Sequence, residues 1–353
     1  VALDLPAERD PGKVLASLRH AEGWARLASK ARPNDWEVHL LRGFLAHSRH
    51  LRTGDAQAAV TATSAYVLAL DLARDSPRAR SAILLESGLL QASLGNAAAG
   101  LRLLDERARL PFPSAAAELS LRVARSRALF LSDRDAEAAD EADRALALAE
   151  SRPALADHVP PALDRAALYA LVAGRAIRAA DLYARLRPHV EAAATTPAGR
   201  LNLSRLDLAS GAAMLAAGRP AEAVGALSRA RQHFHGLEAL PPAPPAFPGR
   251  AARPRLFDAI DLEILATVLE SRALQDAGRL QEAARAADEE AGLRRRRLDA
   301  MDLDEDLLGL AEAGWRRAVL SWRLDDPEGF RERSAASLAR ARAYGERTGT
   351  PYP

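Results

Sequence analysis

Apolar residues recur every three or four positions over long stretches of the chain, as in "RLNLSRLDLASGAAMLAA" (200–217) and "RLFDAIDLEILATVLESRALQDA" (255–277). That spacing lays one apolar stripe along an α-helix. Period-two alternation is missing and β-branched residues are scarce, so no stretch reads as a strand. Short turn phrases separate the helical stretches. Gly54, Gly95, Asp133, Gly174, Gly218, Gly278 and Asp325 mark them, most being followed by an alanine-rich run such as "GRPAEAVGALSRA" from Gly218. Five of the six intervals between markers fall between 38 and 47 residues, the range of stacked helix pairs. The sixth, 60 residues from Gly218 to Gly278, contains the proline-rich "LPPAPPAFPGRAARP" (240–254), whose prolines lack the amide hydrogen that a helix needs.

The pattern predicts a leading helix at 11–31, acting with residues 1–34 as an N-terminal cap, and then seven helix pairs. First helices are expected near 35–52, 78–94, 114–132, 161–173, 198–217, 255–277 and 305–324. Second helices are expected near 56–74, 97–109, 135–150, 176–194, 220–238, 280–298 and 328–346. Residues 35–240 then hold pairs one to five, 241–254 a proline-rich loop insertion, and 255–353 pairs six and seven with a C-terminal cap, all in one continuous array. Glycine or aspartate suits the tight turn, and alanine after it lets two helix backbones approach where they cross. Each pair would bury one face on its own partner and another on the next pair.

Gly211, Gly218, Ala223, Leu227 and Ala230 reproduce, in order, a small, turn, small, large and small signature. Partial copies occur at Gly88, Gly95 and Leu104, at Ala138, Ala142 and Ala145, at Gly174, Ala179 and Tyr183, and at Gly278 and Ala283. On these positions the chain resembles the tetratricopeptide repeat family over about residues 35–345. It departs from the family in lacking most first-helix aromatics and in its longer period. Pro77, Pro113, Pro153, Pro197 and Pro241 follow their turn markers by 18 to 23 residues, so the second helices are longer than the family norm.

The resemblance implies an all-α, right-handed superhelical solenoid of about seven antiparallel helix pairs whose first helices line a concave groove. Carried over pair by pair, the groove-facing positions are Phe44 and Arg52, Leu85 and Leu89, Arg127 and Phe130, Asp164 and Leu168, Arg205 and Leu208, Arg272 and Gln275, and Trp315, Trp322 and Arg323. The implied function is a non-catalytic scaffold, a module of a larger bacterial protein or complex, that binds a peptide or protein segment in that groove. The alternative is a regulatory sensor for a small molecule or signalling peptide. Recurring arginines favour an acidic segment or a free C-terminal carboxylate, because guanidinium offers a planar fork to a carboxylate. Equally, Arg127, Arg205 and Asp164 would leave the groove neutral if they paired with one another.

Composition narrows the chemistry. The chain has no cysteine, which removes thiolate nucleophiles and thiolate metal sites. Its 49 basic and 47 acidic side chains leave a formal charge of +2, too little to hold nucleic acid or an anionic membrane. Only Lys13 and Lys30 are lysines, an arginine skew expected of a GC-rich bacterial genome. Signatures for phosphate-binding loops, dinucleotide binding, the hydrolase elbow and zinc hydrolysis are missing, so neither an enzyme nor a cofactor is expected. No run is long and apolar enough to span a bilayer, and the start is no intact signal peptide. The expected compartment is the cytoplasm, with a removed leader or upstream domain left open by the missing initiator Met.

Three further patterns have two readings each. His47 and His50 share a helical face, either as two metal ligands awaiting a third or as partly exposed residues near a helix end. "RRRR" at 294–297, closely followed by "DLDEDLL" from Asp302, is either a phosphate-binding cluster or a dipole-matched helix junction. Trp315 and Trp322, seven apart, either complete the terminal core or form a ledge that anchors a partner.

Overall fold

The computed structural model describes residues 11–112, 114–235, 259–301 and 304–349. The proline-rich stretch 241–254 lies outside them, as do the predicted helical residues 236–238 and 255–258. Among the described residues there are fifteen α-helices and no strand. The leading helix α1 is Pro11–Ala31. The pairs follow as α2 Trp36–Thr53 with α3 Ala56–Leu72, α4 Pro77–Ser93 with α5 Ala97–Ala108, and α6 Ala115–Leu131 with α7 Asp135–Ser151. Next come α8 Val159–Val172 and α9 Ala176–Ala193, α10 Pro197–Ala216 and α11 Pro220–His235, α12 Ala259–Asp276 and α13 Leu280–Met301, and α14 Asp304–Arg323 and α15 Pro327–Thr348. A 3-10 turn at Pro153–His158, not foreseen from the sequence, leads into α8.

Local chemistry sets the ends of these helices. Side-chain oxygens of Asp35, Asp55, Ser76, Ser114, Thr196 and Asp326 accept from backbone amides in the first turns of α2, α3, α4, α6, α10 and α15. Every turn marker adopts the left-handed conformation, Gly218 at φ 72° and Asp325 at φ 59° among them. Glycine takes that conformation without strain, and aspartate is one of the few other residues that tolerates it.

The chain divides into two compact units, with the boundary between Leu182 and Tyr183 inside α9. In the first unit α1 packs on α2, and each of α2, α4 and α6 packs on its second helix. The first helix α4 also contacts α2 on one side and α6 on the other. Tyr66, Ile83, Leu90 and a row of alanines (Ala62, Ala69, Ala79) form part of its interior. In the second unit α10 to α15 pack consecutively, around Leu227, Phe234, Ala266, Ala287 and Leu320. Alanine at the crossings keeps the helices close, so burial comes from many small contacts.

Buried carboxylates held by arginines join neighbouring helices. Asp207, 1% exposed, accepts from Arg187 at 2.6 Å and Arg229 at 2.9 Å. Fully buried Glu290 accepts from Arg294 at 2.8 Å and Arg316 at 2.5 Å. Buried Glu141 is paired with Arg122 and Arg144. The run Arg294 to Arg297 therefore departs from the junction reading. Its helix continues to Met301, Arg294 reaches Glu290, Arg297 pairs with Asp261 of α12, and of the four only Arg295 and Arg296 are exposed.

Candidate functional site

The first helices carry the predicted groove positions in both units. In the first unit Phe44, Leu85, Leu89, Arg127 and Phe130 are half-buried, whereas Arg52, Asp164 and Leu168 are exposed. Phe130 stacks on Tyr169 with ring centroids 4.8 Å apart and planes at 23°. Such a pair fixes both rings and leaves the neighbouring Arg127 on a defined backdrop. Burial pulls the Arg127 guanidinium below its usual range, and Arg165 adds to the effect against an opposing pull from Tyr169. Asp164 reaches solvent, yet the protein mass around it holds its carboxyl above the usual range, with Arg165 partly offsetting the effect. Asp164 makes no hydrogen bond or ion pair among the described residues. Mutual neutralisation of Asp164 with Arg127 is therefore not how this face is arranged.

Three residues on or behind the same face were not singled out as groove positions. Burial raises the Glu86 carboxyl above its usual range. Burial, then the Arg127 charge, then His50, push His47 down to about 3, so it is neutral at physiological pH. The Tyr66 hydroxyl is raised by burial and by nearby Glu86. His47 meets Tyr66 edge to face, with centroids 6.4 Å apart.

His47 and His50 are only 5% and 4% exposed, which overturns their reading as partly exposed helix-end residues. His50 Nδ1 lies 3.1 Å from the Asp55 carbonyl oxygen, and no third ligand joins the two histidines in a metal-holding group among the described residues. Nε2 of each histidine and the Tyr66 hydroxyl are buried without a hydrogen-bond partner. A sequence signal for His47 existed: it follows Phe44 by three residues, on the same helical face.

In the second unit Arg205 of α10 is exposed and makes no ion pair or hydrogen bond among the described residues. Surrounding protein still lowers its guanidinium below the usual range by desolvation. Leu208, expected in the groove, is instead buried in the core with Val224, Leu227 and Leu262, where its apolar side chain is removed from water. Arg272 is exposed, 3.9 Å from Asp276, and Gln275 is half-buried. Trp315 and Trp322 are 52% and 64% exposed, so they do not fill the terminal core. Both lie against Phe330 of α15, at centroid distances of 6.4 and 5.5 Å, with exposed Arg323 beside Trp322 in sequence. The arrangement offers flat apolar surface next to a cationic group.

No protein-family model and no curated protein sequence matches the chain. Solved structures do resemble it. A Signal Transduction ATPase with Numerous Domains protein with a tetratricopeptide repeat sensor, from Pyrococcus horikoshii, aligns over 96% of this chain and 48% of its own, with a TM-score of 0.55 and 10% identity. The chain thus spans about half the length of that protein. The MamA protein aligns over 58% of this chain and 98% of its own (TM-score 0.42, 18% identity). Rap protein complexed with Competence and Sporulation Factor aligns over 86% and 77% respectively (TM-score 0.46, 11% identity). The first likeness carries the fold and nothing finer. No helix among the described residues is long and apolar enough to cross a membrane.

Proposed function

The chain has a tetratricopeptide-repeat-like fold, and from that premise we propose that it is a non-catalytic scaffold binding a peptide or protein segment along its first helices. The supporting observation is Arg205. In the same unit Arg187, Arg229, Arg231, Arg294 and Arg316 each hold a carboxylate, whereas Arg205 holds none among the described residues and sits where desolvation already disfavours its charge. A guanidinium in that position gains from an incoming carboxylate, because hydrogen bonds to charged groups contribute about 1.5–3 kcal/mol. The bound segment is therefore acidic or ends in a free carboxylate, and within the unit that carries Arg205 the exposed faces of Trp315 and Trp322 are available to its apolar side chains. Nucleic acid is not the partner in this reading, which assigns no catalytic step and keeps the cytoplasm as the working compartment.

A second reading, a regulatory sensor for a small molecule or short signalling peptide, draws on the unpartnered Nε2 of His47 and hydroxyl of Tyr66. These buried polar atoms would be satisfied by a compact polar ligand.

The test is an array of octapeptides with free C-terminal carboxylates, probed with the parent chain and with the Arg127→Glu and Arg205→Glu variants. Acidic peptides are expected to bind the parent and to lose about tenfold or more on charge reversal, the equivalent of at least about 1.4 kcal/mol. Equal binding by parent and both variants would remove the proposed anchors.

A further inference from the structure

The second helix of the first pair differs from every later second helix. From Ala56 to Leu70, α3 carries no charged residue. Of the later ones, α5 to α13 are tied to neighbours by charge: α5 through Glu106 to Arg80 and Asp105 to Arg125, α7 and α9 through Asp143 to Arg178, α11 and α13 through Arg231 to Glu289. A helix with no charge and only Gln57, Thr61, Thr63 and Ser64 as polar residues over that span is normally buried on most sides. Yet α3 exposes Val60 (57%), Val67 (65%) and Leu68 (41%). Val60, Ser64 and Val67 follow i, i+4, i+7 spacing, which lines them up as a ridge about two turns long.

Beside this ridge, α3, α4 and α5 enclose a cleft of about 290 Å³ bordered by Tyr66, Val67, Leu70, Leu90 and Leu103. Its rim holds two charged groups from α5. Glu106 is already paired with Arg80 at 2.5 Å. Arg102, exposed, makes no ion pair or hydrogen bond among the described residues. The rim therefore presents one uncompensated positive charge next to apolar walls.

We propose that the α3 ridge and this cleft form a docking site, separate from the first-helix face, for an amphipathic helix of a protein partner that carries an acidic residue. One apolar side chain of the incoming helix enters the cleft over Leu70, Leu90 and Leu103. Its apolar stripe runs along Val60 and Val67, as ridges of one helix seat against another. The acidic residue meets Arg102, the one charge of the site without a partner among the described residues, so the occupant has to supply the opposite sign.

The experiment pans a displayed library of 16-residue peptides, with apolar residues fixed at i, i+3, i+4 and i+7 and all other positions free, against the full chain. Enriched peptides are expected to carry Glu or Asp at one fixed offset from the apolar stripe. By fluorescence anisotropy their affinity should fall at least tenfold on Val67→Glu and on Arg102→Glu. Changing the peptide's acid to Lys should restore binding to Arg102→Glu. Both substituted residues are exposed, and the Val60→Glu variant gives a second reading of the ridge should Val67→Glu fail to fold. The proposal is overturned if no peptide is enriched, if enriched peptides bind the variants as tightly as the parent, or if light scattering shows a dimer of the chain that Val67→Glu dissociates.

Discussion

Leu227 of α11 rests directly on the backbone of Gly211 in α10: a Cβ added to that glycine would stand 2.5 Å from Leu227 Cγ. Leu104 sits on Gly88 in the same way in the other unit, at 2.7 Å, and neither leucine has exposed surface. These are the small and large positions of the repeat signature, realised as physical contact. Alanine in a helix interior gains up to about 1 kcal/mol over glycine. Here the added methyl overpacks the crossing, at a cost of about 1–3 kcal/mol.

Gly211→Ala and Gly88→Ala are therefore expected to lose up to about 2 kcal/mol of stability net, seen as a lower urea midpoint with an unchanged slope. Adding Leu227→Ala to Gly211→Ala should cost less than the sum of the two single changes, because the overlap is removed once. A raised midpoint in both glycine variants would refute close approach as their role.

The buried Asp207 carboxylate gives a second expectation. Arg187→Ala leaves it with Arg229 alone, whose side chain is 51% exposed and so screened by water. Breaking a buried pair costs about 3–5 kcal/mol. With half of the compensation retained, a loss of about 1.5–2.5 kcal/mol is expected in urea unfolding. Asp207→Leu should cost less, since both arginines can reach water while no charge is left buried. The reverse order of the two variants would show that the ion pairs matter less than the packing of the arginine stems.

His47 makes stability depend on pH. Its folded value near 3 lies below the ordinary histidine value of 6.5. Between those limits the unfolded chain takes up a proton that the folded chain refuses, so stability is lost as pH falls, by about 1.4 kcal/mol per unit. Glu86 and Asp164, both raised in the folded chain, bind protons more readily when folded and act in the opposite sense. The His47 contribution is isolated by comparing the parent with His47→Gln at pH 7, 6 and 5. The difference should move in favour of the variant by about 1.4 kcal/mol between pH 6 and 5, and a constant difference would mean that His47 is not held neutral.

Helix positions were readable because local chemistry dictates them. Pro11 to Ala31 forms the leading helix as the pattern requires, and each glycine or aspartate marker falls at a left-handed turn. What depends on partners distant in sequence was not readable. His47 is buried by Tyr66 from the next helix, and Tyr66 fits there because Gly43 has no side chain to obstruct its ring. Trp315 and Trp322 look like core residues by type, but alanine-spaced helices leave no room for an indole between them, so both rings face outward. Leu208 and Arg205 sit three apart on α10, and periodicity alone does not say which faces inward. Candidate groove residues could thus be named by helix, while their partners, such as Phe330 for the tryptophans, came only with the packed structure.

The placement of the indoles also decides which spectroscopic signal reports what. Trp24, Trp315 and Trp322 stand mostly in water, at 63%, 52% and 64% exposure, and only Trp36 is packed against the interior. Emission from the folded chain is therefore dominated by hydrated chromophores and changes little on denaturation, so far-UV circular dichroism is the faithful monitor of melting. Intrinsic fluorescence acquires a different use: a blue shift on titration would locate contact at α1 or α14 with no label attached.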